Sequence, residues 1–440
     1  MTDTPLYPAP MSDRDNARLF NQLIRPTLTG TPRESPTVLF VAGPPGAGKT
    51  TVQNTLLQRM QLTEAFPLDG DDLLSFHPRH TAFSQDNDLT ASFLASEDIK
   101  GRWWTRTARL LRAQRLDIVI SAPLAGPDWA LARFAEFRKA GYGEIGVAFV
   151  ATHEAQSLQG IVARYHQGHH DIGYGRWIPP QWHDAAHAGV LDTADRIDAR
   201  AAADRVYVAR RDGTLVHTNQ LDHSSTWTLG GATRQAIEAE RKRRWTGEES
   251  AQFLQTQGRL RIEMSAEWAP LLDSIDRRAI PVIAPLTVHD DAQLAARRLE
   301  STRLLRHAER ELETAQEHGK HLLDQHRAGG NAARIEELQA AGTPPEEVRQ
   351  ARDRMHQERW GVNITTFDLS RRAAGAKELV DAVTQETQRR TELTPKQRQH
   401  EAQARQHVRR LAARQPPQTA PRAEGPRHDG PERRGPRQGL

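Results

Sequence analysis

Eight consecutive residues in the first part of the chain have the composition of a phosphate-binding loop. Residues 43–50 read Gly-Pro-Pro-Gly-Ala-Gly-Lys-Thr, which satisfies the pattern G-x-x-x-x-G-K-[ST]. Glycines let backbone N–H groups turn toward a phosphate, the lysine reaches the outer phosphates, and the threonine hydroxyl is a ligand for Mg2+. We therefore predict a nucleotide site, with Thr50 as the metal ligand, formed by Gly43, Pro44, Pro45, Gly46, Ala47, Gly48, Lys49, Thr50 and Thr51.

The identity of the nucleotide must come from other parts of the sequence, because motor ATPases, GTPase switches and small-molecule kinases all share this loop. The sequence has no Asn-Lys-x-Asp motif of the kind that reads guanine. It also lacks a four-residue apolar run ending in Asp-Glu, which is the pattern of motor ATPases. Both absences favour a kinase that uses ATP and Mg2+.

Three carboxylates follow a short apolar run that ends at Leu68, namely Asp69, Asp71 and Asp72. Ligands bind at the carboxyl ends of strands in open α/β sheets, and a kinase needs a carboxylate to accept the proton of the acceptor hydroxyl. Each of the three is a candidate for the base, a metal ligand or a helix cap. We predict Asp71 as the base, and Asp72 as the cap of the next helix is the main alternative for that residue.

Two arginines, Arg164 and Arg176, bracket a polar, glycine-containing segment at 166–175. Cations around the transferred phosphoryl group stabilise the charge that develops there, so both are candidate catalytic residues and the segment is predicted to be a flexible lid. The alternatives are that Arg164 complements a helix dipole and that Arg176 is an ordinary surface residue. The histidines of the segment, which we interpret as solvated and not as metal ligands, are His166, His169 and His170.

The elements that must position these residues alternate between short β-rich runs and helical patterns. Strands are predicted at 37–41, 66–69, 117–121 and 145–151. A helix is predicted at 129–139, and the pair Asp212-Gly213 indicates a closing hairpin. This alternation predicts an α/β fold, with a parallel sheet flanked by helices as in P-loop kinases.

Beyond about residue 230 long, charge-dense helical patterns replace the strands. A narrow apolar seam, which favours helical hairpins or a coiled coil over a deep core, consists of Leu304, Leu305, Ala308, Leu312 and Ala315. Residues 416–440 contain six prolines and four glycines, a composition typical of disorder. The predicted organisation is a P-loop kinase domain at 1–225, a helical connector at 226–290, a charged helical hairpin or coiled coil at 291–413 and a disordered tail at 414–440.

Composition excludes several classes of function. The chain has no cysteine, so disulfides and thiol catalysis are excluded and a reducing, cytoplasmic location is expected. No stretch approaches 18 consecutive apolar residues, and we expect no membrane segment. The tail from residue 414 holds six arginines and three acidic residues, a charge of +3 out of the total of +4. The folded part is therefore almost neutral, and we expect no nucleic-acid partner.

Taken in order, these motifs resemble the zeta-toxin family of toxin–antitoxin kinases over roughly residues 10–220. The matching features are the loop at 43–50, Asp69-Gly70-Asp71, His77-Pro78, Arg164-Tyr165, Arg176, Pro179 and His183-Asp184. The resemblance implies transfer of the ATP γ-phosphate to a sugar hydroxyl of UDP-N-acetylglucosamine, a nucleotide-sugar substrate. It implies that Lys49 and Thr50 hold nucleotide and metal, that Asp71 is the base, and that Arg164 and Arg176 stabilise the transferred phosphate. It also implies an antitoxin-like inhibitory protein as a partner.

The acceptor side departs from the family pattern at two places. The family commonly has Ile-Glu-Gly-Thr after its third strand, where this chain has Ile-Ser-Ala-Pro at 120–123. The preceding helix, which in the family carries a substrate-contacting glutamate, here reads Trp-Trp-Thr-Arg at 103–106. Two alternatives therefore stay open: a kinase of another hydroxyl acceptor, such as an antibiotic or a nucleic-acid end, and a helical interaction protein with a nucleotide-binding switch domain.

Overall fold

A six-stranded sheet lies at the centre of the first half of the chain. The structure, a computed structural model, describes residues 10–327 and 330–414. The strands are β1 (Thr37–Ala42), β2 (Phe66–Asp69), β3 (Ile118–Ala122), β4 (Glu144–Val150), β5 (Arg205–Ala209) and β6 (Leu215–Gln220). Their order in the sheet is β2-β3-β1-β4-β5-β6, and all pairs are parallel except β5 with β6. The predicted α/β class is confirmed, and β5 and β6 form the predicted hairpin around Asp212-Gly213.

Seven helices accompany the sheet among the residues that the structure describes up to Gln220. They are α1 (Asp13–Leu19), α2 (Lys49–Arg59), α3 (His80–Leu94), α4 (Trp104–Ala113), α5 (Pro127–Lys139), α6 (Glu154–Ile172) and α7 (Pro180–Arg200). A π-helical turn, Phe20–Ile24, extends α1, and another, Glu97–Trp103, precedes α4. A 3-10 turn at Asp72–Phe76 follows β2. The helices cover both faces of the sheet, as the fold class requires.

The core explains why β1 can hold the phosphate loop in place. Alternate residues of β1 point to opposite faces of the sheet, and all of them from Val38 onward are buried. Phe40 packs against Phe134 and Phe137 of α5, with ring centroids 4.8 and 5.7 Å apart. Leu39 belongs to the apolar cluster on the other face, which includes side chains of α2. The strand and the helix that flank the loop are thereby fixed relative to each other.

The second half of the described chain consists of helices. They are α8 (Thr233–Lys242), α9 (Gly247–Glu263), α10 (Ala269–Ala279), α11 (Pro285–Val288), α12 (Asp291–Arg327), α13 (Gly330–Ala340), α14 (Pro345–Glu392) and α15 (Pro395–Arg414), with a 3-10 turn at Ala266–Trp268. Arg390 near the end of α14 pairs with Asp291 at the start of α12 at 2.8 Å, and Val362 packs against Gly319. The two long helices therefore lie antiparallel.

One apolar cluster joins the two halves of the chain. From the first half of the chain, it contains Leu158, Ile161 and Val162 of α6. From the helical second half, it contains residues of α9, α10 and α15, among them Leu254 and Ile275. The packing is therefore continuous across residue 225, which we predicted as a domain boundary.

Within 10–327 and 330–414, no helix is long and apolar enough to cross a membrane. The predicted disordered tail lies, from residue 415 onward, outside the described residues.

Candidate active site

The phosphate loop connects Ala42, the last residue of β1, to Lys49, the first residue of α2. Its glycines adopt backbone angles that L-residues rarely tolerate, with φ of +76° at Gly46 and +96° at Gly48. Gly48 is the N-cap residue of α2 and has no side chain that would occupy the first N–H groups of the helix. These donors, and the positive end of the helix dipole, face the loop, which is the arrangement that binds phosphate.

Lys49 folds back over the loop. Its Nζ donates to the carbonyl oxygens of Gly43 at 3.2 Å and Pro44 at 3.3 Å. Burial lowers the pKa of Lys49 to about 8, Asp69 opposes this shift, and the neighbouring arginines add to it. The ammonium thus lies at the loop, where it is poised to contact a bound phosphate.

The carboxylates lie where the strand ends of β2 and β3 meet. Ser121 pairs with Asp69 of β2 and with Val41 of β1, so the carboxyl ends of three strands meet at one edge beside the loop. The Asp71 N–H donates to Asp69 Oδ1 at 2.9 Å. Asp71 is also the residue before the 3-10 turn that Asp72 begins. Asp72 is therefore not the cap of α3, the alternative that the sequence left open, and burial raises its pKa.

Asp71 forms an ion pair with Arg176, whose Nη1 contacts Asp71 Oδ2. Both residues line a cleft of about 910 Å3 together with Lys49, Thr50 and Arg164. The structure thus brings the four predicted catalytic residues and the predicted metal ligand into one space. Arg176 Nε is buried and has no hydrogen-bond partner among the described residues, so this donor is available to an oxygen in the cleft.

Asp69 is the common counter-charge of the site, a role that the sequence did not single out. Desolvation lowers the pKa values of Lys49, Arg164 and Arg176, the last to about 10, and in each case the charge of Asp69 acts in the opposite direction. Its position at the end of β2 signalled a site residue. Only the three-dimensional arrangement shows that three cations surround it.

The prediction of a flexible lid at 166–175 is wrong for most of its length. Helix α6 continues through this segment to Ile172 and ends at Gly173, which has φ of +82°. Its buried face includes Tyr165 and packs against the second half of the chain, and this distant partner stabilises a helix that the local polar composition did not suggest. Arg164 therefore projects from a helix, and Arg176 lies in the short connection to α7.

The histidines of this segment are paired with carboxylates. His166 Nε2 lies 2.9 Å from Glu263, His169 Nε2 lies 2.5 Å from Asp88, and His170 Nδ1 lies 3.1 Å from Asp171. Within the described part of the chain, no group of three or more potential metal-ligating side chains is present. These histidines bridge helices or face solvent.

Two further histidines of the sequence pattern are buried supports. His77 Nε2 lies 3.4 Å from the buried carboxylate of Asp98, which holds the turn after Asp71 against the helix before α4. His183 Nε2 lies 2.7 Å from Ser157 Oγ, and His183 Nδ1 lies 2.9 Å from Asp184. The sequence Ser157, His183, Asp184 has the connectivity of a hydrolase triad, but Ser157 and His183 are fully buried. The serine therefore has no access to a substrate.

Arg211 is a site residue that sequence reasoning missed. Its Nη1 donates to the carbonyl oxygens of Gly46 and Gln156, each at 3.0 Å, and it lines the cleft. Desolvation lowers its pKa. Arg211 thereby ties the phosphate loop to α6. The available signal is its position just after β5, at the same sheet edge as the other strand-end residues, whereas the Asp212-Gly213 pattern beside it indicates only a hairpin.

The other half of the cleft is aromatic and weakly polar. The cleft is lined there by Trp104, Thr105, Ser121, Trp129, Arg133, Trp177 and Trp182. The rings of Trp104 and Trp129 lie 5.7 Å apart. Among the described residues that line the cleft, Asp69 and Asp71 supply the carboxylates. Thr105 and Ser121, the positions of the two sequence departures, therefore both face the space where an acceptor would bind.

Comparison with known proteins finds a similarity to one family for this part of the chain. The profile of the family described as Zeta toxin matches residues 24–222. Similar solved structures include one from the PezAT chromosomal toxin–antitoxin system of Streptococcus pneumoniae, with 20% sequence identity and a TM-score of 0.47 over 57% of this chain and 97% of that chain. A structure of the AvrRxo1-ORF1:-ORF2 complex has 14% identity and a TM-score of 0.39 over 60% of this chain and 82% of that chain.

A second structure of the AvrRxo1 complex, with sulphate ions, has 15% identity and a TM-score of 0.36 over 59% of this chain and 81% of that chain. No curated protein matches the chain. The similarity to this family therefore rests on the profile match, which spans the phosphate loop, the carboxylates and both arginines. Residues 24–222, which form the α/β domain that carries the phosphate loop, are similar to the zeta toxin family.

Proposed function

We propose that this protein is an ATP-dependent kinase that transfers the γ-phosphate to a sugar hydroxyl of UDP-N-acetylglucosamine or a related nucleotide sugar. The observation that carries the proposal is the ion pair between Asp71 and Arg176 in the same cleft as Lys49. A carboxylate base, two arginines and a phosphate loop around one space are the parts that phosphoryl transfer requires. A site that only binds nucleotide does not require the base.

The nucleotide side follows from the loop. The N–H groups at the start of α2 bind the β- and γ-phosphates, and Lys49 contacts the outer phosphates. The cleft residues fit a divalent cation, because the Thr50 hydroxyl lies at the start of α2 and lines the same cleft as the carboxylates. When bound at Thr50, Mg2+ supplies positive charge that offsets the charge on the phosphates.

The transfer step assigns one role to each remaining residue. Asp71 accepts the proton of the acceptor hydroxyl, and the hydroxyl oxygen forms a bond to the γ-phosphorus. The bond from that phosphorus to the bridging oxygen of ADP breaks, and ADP leaves. Arg176, held beside Asp71, and Arg164 stabilise the charge on the transferring group. Because Arg176 pairs with Asp71, it has to turn from the carboxylate toward the phosphate when substrates bind.

A second acceptor class is supported by the composition of the acceptor half of the cleft. Trp104 and Trp129 offer flat apolar faces, and Thr105 and Ser121 lie in the two segments, 103–106 and 120–123, that depart from the family pattern. Aromatic faces stack well on planar rings, so another hydroxyl acceptor with a planar ring system is the alternative substrate. Arg133, at the same wall, would contact an anionic group on either kind of acceptor.

The direct test mixes the full chain with ATP, Mg2+ and UDP-N-acetylglucosamine and follows the nucleotide sugar by mass spectrometry. We expect a gain of one phosphoryl group on the nucleotide sugar and none with an Asp71→Asn variant. A gain on a different hydroxyl compound in a parallel acceptor screen supports the alternative acceptor. Release of free phosphate alone, with no acceptor modified, contradicts both.

The biological role proposed with this activity is that of the toxin of a toxin–antitoxin pair acting in the cytoplasm. The match to the zeta toxin family model supports the role, and the cysteine-free sequence suits a reducing compartment. An antitoxin-like protein is the proposed inhibitory partner. Induced expression of the wild-type chain should arrest bacterial growth, and the Lys49→Met variant should not. Equal growth arrest by both proteins excludes phosphoryl transfer as the cause of toxicity.

A further inference from the structure

Three aromatic side chains connect the helical second half of the chain to the arginines of the cleft. Tyr165 lies on α6, Trp177 lies in the connection before α7, and Trp268 lies in the turn before α10. The ring centroid of Trp268 is 5.0 Å from that of Tyr165 and 4.9 Å from that of Trp177, and the last two are 5.5 Å apart. We call this group the aromatic triplet. Its first two members are the chain neighbours of Arg164 and Arg176.

Hydrogen bonds fix the backbone beside the triplet. The Tyr165 hydroxyl donates to Asp88 Oδ1 at 3.0 Å, and the Gly175 N–H donates to Asp88 Oδ2 at 2.7 Å. Gly175 passes so close to Tyr165 that a Cβ at this position would clash with the Tyr165 carbonyl oxygen. Asp88 and Tyr165 thus fix the position of Gly175, the residue just before Arg176. The Trp268 ring packs against the rings of Tyr165 and Trp177.

The helical second half also holds α6 along its length. Gln159 Nε2 donates to the Phe253 carbonyl oxygen at 2.8 Å, and His166 pairs with Glu263 at 2.9 Å. Together with the apolar cluster that α6 shares with α9, α10 and α15, these contacts pack α6 between the sheet and the helical half. Arg164 projects from this helix.

A chain of polar contacts adds a second connection at the start of α6. Arg278 of α10 contacts both carboxylate oxygens of Asp184, each at 2.8 Å, and also Glu154 at 2.8 Å. Asp184 in turn contacts His183, which contacts Ser157 in the first turns of α6. The Arg278–Asp184 pair is partly exposed, whereas His183 and Ser157 are buried, so this chain of contacts links α10 with the first turns of α6.

The helical half acts on the cleft only from outside. The lining of the cleft comes, among the described residues, from positions 45–211. Residues 233–414 therefore do not fill the space where substrates bind. They contact Tyr165 and Trp177, the chain neighbours of Arg164 and Arg176. The helical half is therefore placed to support the site and not to block it.

We propose that the helical second half is a positioning element of the kinase, and that Trp268 acts through Tyr165 and Trp177 to hold Arg164 and Arg176 toward the transferring phosphate. This inference rests on the proposed function, since it assigns these arginines to phosphoryl transfer. Trp268 is a positioning residue because it does not itself line the cleft. Displacement of a catalytic group by about 1 Å from a distant change lowers rates about 100-fold.

The test compares three full-length variants. Trp268→Ala removes the ring, Trp268→Phe keeps an aromatic ring at the same place, and Phe367→Ala removes an exposed aromatic side chain of α14 as the control. The measurements are kcat with ATP and the acceptor, the Kd of a non-hydrolysable ATP analogue, and amide hydrogen exchange of peptides covering 173–179 and, as an internal reference, β1.

We expect Trp268→Ala to lower kcat by about 10- to 100-fold while leaving the Kd of the analogue unchanged, because the phosphate loop is not disturbed. Exchange at 173–179 should become faster and exchange in β1 should not change. Trp268→Phe should restore most of kcat, and Phe367→Ala should match the wild type. A loss of kcat accompanied by faster exchange in β1, without rescue by phenylalanine, would show general destabilisation and overturn the proposal.

Unchanged kcat in Trp268→Ala also overturns the positioning role, whether or not exchange changes. Failure of the proposed function looks different, because the wild type itself then transfers no phosphate to any acceptor. In that case the exchange comparison decides the structural part alone. Equal exchange at 173–179 in the wild type and Trp268→Ala contradicts the contact, and faster exchange in the variant upholds it.

Discussion

Arg176 is ion-paired with Asp71 across the cleft, so the proposed base and one of the proposed phosphate-binding cations neutralise each other in this structure. The same guanidinium has a buried Nε without a partner among the described residues, and Asp69 supplies it with a second counter-charge. Arg176 can therefore turn from Asp71 toward a phosphate without losing all of its electrostatic support. Substrate binding would then free the carboxylate at the moment when a base is needed.

Replacing Asp71 with asparagine tests this arrangement. General acid–base catalysis contributes about 100- to 10,000-fold, so we expect kcat to fall within that range. ATP should bind as tightly as before or more tightly, because Arg176 loses a competing carboxylate. Asp72→Asn is the matched control and should change kcat by less than about tenfold. Steady-state kinetics and calorimetric ATP titration measure both effects. An Asp71→Asn protein with wild-type kcat is not compatible with Asp71 as the base.

The protonation of Lys49 predicts a pH dependence. Its pKa is lowered from 10.5 to about 8, so the side chain is charged at pH 7 and loses its proton as the pH rises through 8. If the charged form binds phosphate, the ATP affinity of the free protein falls above pH 8, by up to about tenfold per pH unit. Titrations between pH 6.5 and 9.5 measure this, and Lys49→Met should bind weakly with no inflection near pH 8.

The same shift affects stability in the opposite direction. Between pH 8 and 10.5 the unfolded chain holds the Lys49 proton more tightly than the folded protein does, so the contribution of this residue to the free energy of unfolding increases with pH. Below pH 8 both states are protonated and the cost of holding the charge in the folded protein is present in full. The wild type minus Lys49→Met difference in denaturant unfolding isolates this contribution. A difference that stays constant from pH 7 to 10 is evidence against the lowered pKa.

Arg211→Ala tests the tie between the phosphate loop and α6. The variant loses the hydrogen bonds to the Gly46 and Gln156 carbonyl oxygens, and hydrogen bonds to charged groups contribute about 1.5–3 kcal/mol. We expect ATP affinity to fall about 10- to 100-fold. Arg210→Ala is the control, because Arg210 pairs with Glu240 away from the loop. Equal affinities for the two variants indicate that Arg211 has no role in nucleotide binding.

Alanine substitutions at two glycines of the site test the conformation of the phosphate loop. A Cβ at Gly46 would clash with the Ser157 carbonyl oxygen, and its φ of +76° is strained for other residues, whereas a Cβ at Gly70 would meet no atom within 4 Å. We expect Gly46→Ala to abolish detectable ATP binding and Gly70→Ala to retain it. Analogue binding by fluorescence or calorimetry distinguishes them. Strong ATP binding by Gly46→Ala disagrees with the loop conformation described above.

Sequence patterns predicted the parts of the site that depend on local chemistry. The loop around Lys49 follows from glycine conformation, and Asp71 follows from the rule that strand ends carry ligands. The patterns did not predict structure that depends on contacts between residues far apart in the chain. The segment after Arg164 is helical because Tyr165 packs against Trp268, about a hundred residues away, and no local signal reveals that contact. Arg211 was missed for the same reason, since its partners, Gly46 and Gln156, lie on other elements.

Truncation after residue 228 tests whether the first half is an independent unit. It would expose Leu158, Ile161 and Val162, which are buried against the helical half. Burial of one aliphatic side chain stabilises by about 1.5–3 kcal/mol, so the three together contribute about 5–9 kcal/mol. That range is comparable with the whole stability of a typical domain, about 5–15 kcal/mol.

We therefore expect the chain ending at residue 228 to aggregate or to unfold without a cooperative transition, and its kinase activity to be lost with its fold. A chain ending at residue 414 keeps α15 in the shared cluster and should retain both its melting temperature and kcat. Circular dichroism melts and size-exclusion chromatography compare the two. A soluble, cooperatively folding protein of residues 1–228 with wild-type kcat would show that the kinase domain needs no support from the helices, because the α6 face would then tolerate water without displacing Arg164.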